Sequence, residues 1–379
     1  MMEPKIRFKG FEGGWKEERL SEISSSIASG KNIDHKGPYP LYGSTGIIGT
    51  TDKPYHEGPM LLVARVGANA GFLQLVNEKC GVSDNTLIVK PKDPVTDNYL
   101  FQYFKFFNLN RFIYGSGQPL ITGGMLKKMP VRYGLKEERE TLIDYFTSLD
   151  SQISASTSRL ASLKQMKAAS LQAMFPQEGE TVPKIRFKGF EGEWKKVKLS
   201  EILTERHENS TITDSLPQLS FTIADGVIRP EDRKSNKRDF LIKDIDNKRY
   251  LVTKVGDIIY NPANVVYGAI HRNSLMNGVV SPIYKIFTTM QDSNFIECAV
   301  RRPSFITKLA MCTEGTVTKL KTLKPEAFLN MEVCITPSLE EQKLIGNYFT
   351  SLDRQISLQS QRLEKLKQIK SACLDKMFV

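Results

Sequence analysis

Cysteine and histidine are scarce in this sequence. The five cysteines form no CxxC pair, and the four histidines do not cluster with them. This pattern predicts free thiols and argues against a disulfide framework or a metal site. A GxxxxGK[ST] phosphate loop is also missing, so nucleotide hydrolysis of that type is not indicated.

Long apolar runs are missing too. No stretch approaches the 18 or so apolar residues that a membrane span needs, and the opening residues MMEPKIRFKGFEG lack the apolar segment of a signal peptide. We therefore expect a cytoplasmic location. The nearest match to an adenine-methyltransferase motif, Asn261-Pro262-Ala263-Asn264, lacks the second proline and the aromatic residue that stacks on a base. An enzyme that acts alone on nucleic acid is thus a disfavoured alternative.

Basic residues are in excess, and the excess is unevenly distributed. The net charge of the chain is +11, and the four successive parts 1–134, 135–182, 183–337 and 338–379 carry +5, −2, +6 and +2. Lysine and arginine neutralise phosphates and release counterions, so this distribution favours a polyanion partner for the first and third parts. A merely basic protein is the alternative.

Two internal repeats organise the chain. Glu138 to Phe175 agrees with Glu341 to Phe378 at 20 of 38 positions, including the run YFTSLD, and Pro4 to Ile23 agrees with Pro183 to Ile202 at 16 of 20 positions. The repeats predict two globular units that alternate with two helical segments. The predicted boundaries are 1–135 for the first globular unit, 136–176 for the first helical segment, 177–337 for a linker and the second globular unit, and 338–379 for the second helical segment.

Apolar residues in both helical segments recur at steps of three and four, which is typical of a helix with one apolar seam. About 38 residues at 1.5 Å each make a rod of roughly 57 Å, which needs a partner to cover its seam. We predict that the two helices pack on each other, while two unrelated surface helices are the alternative. The predicted packing residues are Phe146, Leu149, Ile153, Leu160 and Leu163 in the first segment and Phe349, Leu352, Ile356, Leu363 and Leu366 in the second.

The two globular units have a mixed α/β texture. Short apolar runs such as Met60 to Ala64 and Asp257 to Tyr260 predict strands, whereas Asn98 to Phe107 and Phe295 to Met311 predict helices. Anchor residues align the units at an offset of 198, for example Gly58 with Gly256. Both units are therefore predicted to share one fold, whose topology the pattern leaves open.

Glycine-rich loops in both units carry polar side chains. Glycines allow a close approach to a surface, and Ser, Thr, Asn, Gln and Arg can read base edges, although ordinary turns are the alternative for each residue. The candidate DNA-binding residues are Tyr42, Ser44, Thr45, Arg65, Asn69, Ser116 and Gln118 in the first unit and Asn261, Asn264, Tyr267, Thr316 and Lys319 in the second.

Together these features resemble the specificity (S) subunits of type I restriction-modification systems. The resemblance covers the whole chain and is carried by the two YFTSLD segments, by Leu41 to Gly49, and by Ala64 to Gly67. The Ala64 to Gly67 motif has no counterpart in the second unit. There, a DNA-binding role for Asn261 and Asn264 follows from position only.

The resemblance implies a non-catalytic DNA-recognition protein with two target-recognition domains. Its helical spacers would form an antiparallel coiled coil related by a pseudo-twofold, and each domain would read half of a bipartite target on double-stranded DNA. It also implies two methyltransferase subunits and restriction subunits as partners. S-adenosylmethionine and ATP with Mg²⁺ would be bound by those partners and not by this chain. A stand-alone DNA-binding regulatory protein is the alternative.

Overall fold

A computed structural model describes residues 2–31, 36–109, 119–233, 249–313 and 322–379. The chain forms two compact units. Unit 1 comprises Met1–Ser158 and Ser360–Val379, and unit 2 comprises Arg159–Gln359. None of the helices in the described ranges is both long and apolar enough to cross a membrane.

The globular part of unit 1 contains two four-stranded sheets, in the strand orders β2-β9-β6-β7 and β4-β3-β8-β5, and a β1-β10 pair. Helix α2 starts where Asp93 accepts a hydrogen bond from the Val95 amide, with proline at the first helical position. The elements are β1 (Lys16–Arg19), α1 (Leu20–Ile23), β2 (Ser24–Ser29), β3 (Tyr39–Gly43), β4 (Gly46–Thr51), β5 (His56–Glu57), β6 (Met60–Ala64), β7 (Leu73–Val76), β8 (Lys79–Val82), β9 (Thr86–Pro91), α2 (Pro94–Phe107), α3 (Gly123–Lys128), β10 (Pro130–Tyr133) and the long helix α4 (Lys136–Ala173).

In the globular part of unit 2, the sheet β12-β20-β17-β18 corresponds to the sheet β2-β9-β6-β7 of unit 1, and we call these two the main sheets. Unit 2 also contains the smaller sheets β13-β16-β19, β14-β15 and β11-β21. Its elements are β11 (Lys195–Lys198), α5 (Leu199–Ile202), β12 (Leu203–Glu205), β13 (Asn209–Ser210), β14 (Ser220–Thr222), β15 (Gly226–Ile228), β16 (Tyr250–Thr253), β17 (Ile258–Tyr260), β18 (Ile270–Arg272), β19 (Gly278–Val280), β20 (Lys285–Thr289), α6 (Ser293–Val300), α7 (Pro303–Met311), α8 (Pro325–Leu329), β21 (Glu332–Ile335) and the long helix α9 (Leu339–Met377).

The strand register shows how the two main sheets correspond. Leu62 of β6 lies opposite Gln74 of β7, and Ile259 of β17 lies opposite His271 of β18. Both residues of the second pair stand 197 positions after those of the first. At these two strands the units therefore correspond at an offset of 197, one less than the 198 predicted from the anchor residues.

Each long helix contributes one half to each unit, and the two halves within a unit run antiparallel. In unit 1, Phe146 near the start of α4 packs in one core with Phe378 just after the end of α9. In unit 2, Phe349 near the start of α9 packs in one core with Phe175 just after the end of α4. The predicted mixed α/β fold with an internal repeat and antiparallel long helices is thereby confirmed.

The seam of these helices follows the predicted spacing. Phe146, Leu149, Leu163, Phe349, Leu352 and Leu363 are buried, whereas Ile153, Leu160, Ile356 and Leu366 are half-buried. Ser156 and Gln359, which interrupt the apolar pattern, are also buried. Buried polar residues in a helical seam restrict its register.

The repeated YFTSLD segment makes the same contacts in both units. Asp150 pairs with Lys370 in unit 1, and Asp353 pairs with Lys167 in unit 2. The tyrosine hydroxyls also match, since Tyr145 contacts the Cys373 thiol at 3.3 Å and Tyr348 contacts the Ser170 hydroxyl at 2.9 Å. The repeat in sequence is therefore a repeat of contacts between helices.

The other repeat, which opens each half of the chain, ties the ends of the two helices together. In unit 1, the Ile6 amide donates to the Lys376 carbonyl of α9 at 2.9 Å, and Arg7 binds Glu138 of α4. In unit 2, the Ile185 amide donates to the Ala173 carbonyl of α4 at 2.9 Å, and Arg186 binds Glu341 of α9. In each unit, this repeat therefore contacts the end of one long helix and the start of the other.

Candidate nucleic-acid interface

In unit 1 the candidate loops meet at Asn85, which precedes β9. The Asn85 carbonyl accepts one hydrogen bond from the Arg65 amide at 2.9 Å and another from the Ser44 hydroxyl at 3.3 Å. The Arg65 carbonyl in turn accepts from the Ile121 amide at 2.8 Å. The structure therefore brings together the loop after β6, the β3–β4 turn and the segment that leads into α3.

Arg65 is half-buried at the end of the buried strand β6. Its Nε is buried and has no hydrogen-bond partner within the part of the chain that the structure describes. Within that part of the chain, Nε is therefore not committed to another protein group. Guanidinium groups pair well with phosphates and with the O6 and N7 acceptors of guanine.

The other candidates of unit 1 differ in exposure and in whether their side chains already bond to another residue. Thr45 and Asn69 are exposed, and Asn69 ends a 3-10 turn at Gly67–Asn69. Tyr42 is committed elsewhere, because its hydroxyl donates to Glu78 Oε1 at 2.6 Å. This hydrogen bond, together with burial, raises the pKa of Tyr42 to about 12. Ser116 and Gln118 lie outside the described residues.

Unit 2 repeats the backbone frame of this site with different side chains. The Asn261 amide donates to the Ala269 carbonyl at 2.9 Å, as the Ala64 amide donates to the Phe72 carbonyl at 2.8 Å. Similarly, the Leu323 amide donates to the Pro262 carbonyl at 3.0 Å. Pro262 therefore occupies the position of Arg65, and unit 2 lacks an arginine at this point.

The polar side chains of the unit 2 loop have mixed roles. Asn261 Oδ1 accepts from the Ala263 amide at 3.0 Å and so stabilises the turn. Asn264 is half-buried and precedes the 3-10 turn Val265–Tyr267. Tyr267 is 72% exposed, which leaves its ring open to solvent. Thr316 and Lys319 are outside the described residues.

Gln74 in unit 1 and His271 in unit 2 were not among the predicted site residues, yet each lies beside the candidate loop of its own unit. Gln74 Nε2 donates to the Gly43 carbonyl at 2.8 Å, and His271 Nε2 lies 2.8 Å from the Ile223 carbonyl. Because a carbonyl oxygen only accepts, His271 Nε2 is the donor in this contact. Each side chain thus holds the turn of a hairpin that is distant in sequence. The two residues occupy equivalent strand positions, but this equivalence becomes visible only with the strand register.

Among the described residues, histidines, cysteines and carboxylates form no group of three or more that could hold a metal ion. All five cysteines are free thiols, and burial raises the pKa of Cys80 to about 11.

Comparison with known proteins places the chain in a family. The family described as "Type I restriction modification DNA specificity domain" matches residues 12–165 and 191–368. The specificity subunit of the type I restriction enzyme EcoprrI from Escherichia coli is 26% identical over 159 residues, which span 39% of this chain and 40% of that relative. The crystal structure of a type I restriction-modification S subunit from M. genitalium superposes with a TM-score of 0.68 at 14% identity, covering 100% of this chain and 99% of that chain.

Proposed function

The chain belongs to the family of type I restriction-modification DNA specificity domains, and we propose that it is the sequence-recognition subunit of such a system. The family is a non-catalytic one that recognises DNA. In our proposal each globular part reads one half of a bipartite target. The observation that carries this division is the backbone frame shared by the loops after β6 and β17, because one frame holds Arg65 in unit 1 and Pro262 in unit 2.

A shared frame with unlike side chains suits two readers of different sequences. Phosphate contacts position a protein on the duplex, whereas contacts to base edges specify sequence. The excess of Lys and Arg in 1–134 and 183–337 supplies the phosphate contacts, and the loops supply the base contacts. Arg65 is our leading candidate for a base or phosphate contact in unit 1. Tyr267, Asn264 and Asn261 take the corresponding place in unit 2.

The helices have two roles in the proposal. They set the gap between the half-sites, and the helix ends of each unit offer a docking surface for a methyltransferase subunit. In unit 1 this surface comprises Ile6, which is 48% exposed, and the edge-to-face pair Phe8 and Tyr145, with centroids 5.7 Å apart. Phe8 and Tyr145 are half-buried beside the exposed Ile6, and apolar side chains grouped at a surface are typical of interaction sites.

Unit 2 carries the same docking surface on equivalent residues. Ile185 is 59% exposed, and Phe187 and Tyr348 form an edge-to-face pair at 6.4 Å beside a groove of ≈ 350 Å³. A surface present twice fits two copies of one partner, which supports two methyltransferase subunits in the assembly. Those subunits would bind S-adenosylmethionine, restriction subunits would bind ATP and Mg²⁺, and the complex would act on DNA in the cytoplasm.

Genome-wide mapping of methylated adenines, with the gene intact and deleted, tests the proposal. We expect one split motif to lose its methylation on deletion. If no motif changes and purified protein still binds DNA, the stand-alone regulatory alternative gains support instead. Methylation of adenine by the purified chain alone would contradict a non-catalytic role.

A further inference from the structure

Each unit holds a β-hairpin with an isoleucine exposed at its tip, next to the candidate loop. In unit 1, β3 and β4 are joined through Ser44 and Thr45, and the register shifts between Leu41 and Tyr42. The shift leaves Ile48 as an extra, bulged residue. Ile47 and Ile48 are both 61% exposed, although neighbouring residues of a regular strand point to opposite faces.

The side chain of Ile48 lies over Gly43. A Cβ added to Gly43 would lie 2.7 Å from Ile48 Cγ2, so the side chain covers this glycine, which only a residue without a Cβ permits. The hairpin itself is tied to the candidate loop by two hydrogen bonds, from Gln74 to the Gly43 carbonyl and from Ser44 to the Asn85 carbonyl that also holds Arg65. The hairpin turn and the Arg65 backbone thus meet at one carbonyl group.

Unit 2 also has a hairpin with an exposed isoleucine, formed by a different segment of the chain. The hairpin of β14 and β15 carries Ile223 in its turn, and Ile223 is 44% exposed. His271 donates to the Ile223 carbonyl from the strand position that Gln74 occupies in unit 1. Gly226 makes this contact possible, since its φ of +68° suits glycine and an added Cβ would lie 2.7 Å from the His271 ring.

Apolar side chains exposed beside a polar loop, on a basic globular part, need an apolar feature on the ligand. The globular segments that carry the hairpins have net charges of +5 and +6, which complement duplex DNA. The main apolar group on the major-groove edges of the bases is the 5-methyl group of thymine. We infer that Ile48, with Ile47 beside it, and Ile223 read thymine methyl groups, one hairpin in each half of the target. This inference rests on the proposed function and adds the base that each hairpin recognises.

Replacing thymine by deoxyuridine removes only the methyl group and so tests the inference directly. The duplex carries the split motif found by methylation mapping, and the full chain is used together with its methyltransferase partner. Deoxyuridine in place of every thymine of one half-site should weaken binding by the wild-type protein about fourfold, the equivalent of one buried methyl group. The second half-site should respond in the same way.

The variants assign each hairpin to its half-site. Ile48→Ala should lose the deoxyuridine effect in one half-site and keep it in the other, and Ile223→Ala should do the reverse. Leu135→Ala and Ile283→Ala are matched controls, because these residues are 61% and 60% exposed in units 1 and 2 and lie outside the hairpins. Both controls should keep the full effect in both half-sites.

The outcomes separate this inference from the function on which it rests. Tight binding of the motif with no deoxyuridine effect, or with the same effect in the alanine variants, overturns the inference alone. A half-site without thymine on either strand also overturns it for that unit. Failure of the assembled protein to bind the split motif at all overturns the proposed function as well.

Discussion

Arg7 donates two hydrogen bonds to Glu138, which lies 131 residues later, from Nε to Oε1 at 2.6 Å and from Nη2 to Oε2 at 2.8 Å. Glu138 is almost fully buried, and Trp15 Nε1 donates to the same carboxylate at 3.2 Å. In unit 2, Arg186 binds Glu341 in the same bidentate way, but Thr336 takes the place of the tryptophan donor. This pairing joins the opening repeat of each half to the start of a long helix.

Loss of the arginine should destabilise unit 1. Arg7→Ala leaves the Glu138 carboxylate buried without its cation, and removal of one partner from a buried pair costs about 3 kcal/mol or more. Chemical denaturation should show this loss. Lys136→Ala is the control, because Lys136 and Glu140 form an exposed pair that contributes less than about 0.5 kcal/mol. Equal stability of the two variants would contradict the role of Arg7.

Arg65→Ala should weaken DNA binding without lowering thermal stability. The Arg65 Nε lacks a partner among the described residues, so the substitution removes no hydrogen bond of that atom in the free protein. A base contact of this kind contributes about 1 to 3 kcal/mol to discrimination. Affinity at a fixed salt concentration is the measurement. Lys136→Ala, which breaks an exposed pair with Glu140 outside 1–134, is the control, and unchanged affinity of Arg65→Ala would count against the contact.

The stability of unit 1 should fall as pH rises towards neutral because of Asp97. Burial, together with the nearby Asp93 carboxylate, raises the pKa of Asp97 from 3.8 to about 7. Since this folded-state pKa exceeds the unfolded one, the folded protein holds the proton more tightly. The associated stability is complete below about pH 4 and is lost as pH rises through about 7.

The substitution Asp97→Asn isolates this effect. The amide keeps the shape of the side chain but cannot ionise, so the variant should gain stability relative to wild type between about pH 5 and pH 8. The free energy of unfolding, measured for both proteins across that range, gives the comparison. A constant difference between them would show that Asp97 does not titrate as expected.

Shortening both helices should change the gap of the target and leave its half-sites intact. Deletion of residues 154–160 and 357–363 removes one heptad from each helix, or about 10 Å of length. The gap should shrink by about three base pairs, unless the change abolishes function altogether. Methylation mapping reads the gap and the half-sites together, and altered half-site sequences would disprove the division of labour between loops and helices.

A charge on the docking surface should prevent assembly with the methyltransferase. Ile185→Asp places a carboxylate on a 59% exposed apolar position in unit 2. Co-purification of the partner should decrease, whereas Ile283→Asp, at a 60% exposed position away from the helix ends, should leave it unchanged. Equal recovery of the partner with both variants would place the docking surface elsewhere.

The sequence alone determined the repeated architecture, because local periodicity and self-similarity record it. The apolar steps through Phe146 and Phe349 predicted the seam, and the repeated YFTSLD segments predicted equivalent halves. Such features follow from the geometry of one helix, in which residues three or four apart share a face. The resemblance to specificity subunits rested partly on the same repeats and partly on the local segments Leu41 to Gly49 and Ala64 to Gly67.

Only the tertiary structure decided which residues stand beside Arg65 and which residue replaces it. Pro262 takes the place of Arg65 through hydrogen bonds made by Asn261 and Leu323, which are far apart in sequence. Likewise, Gln74 and His271 occupy equivalent strand positions in the two units, at an offset of 197 that only the strand register reveals. Hairpins and loops converge through sheet pairing between distant segments, and local sequence patterns do not specify that pairing.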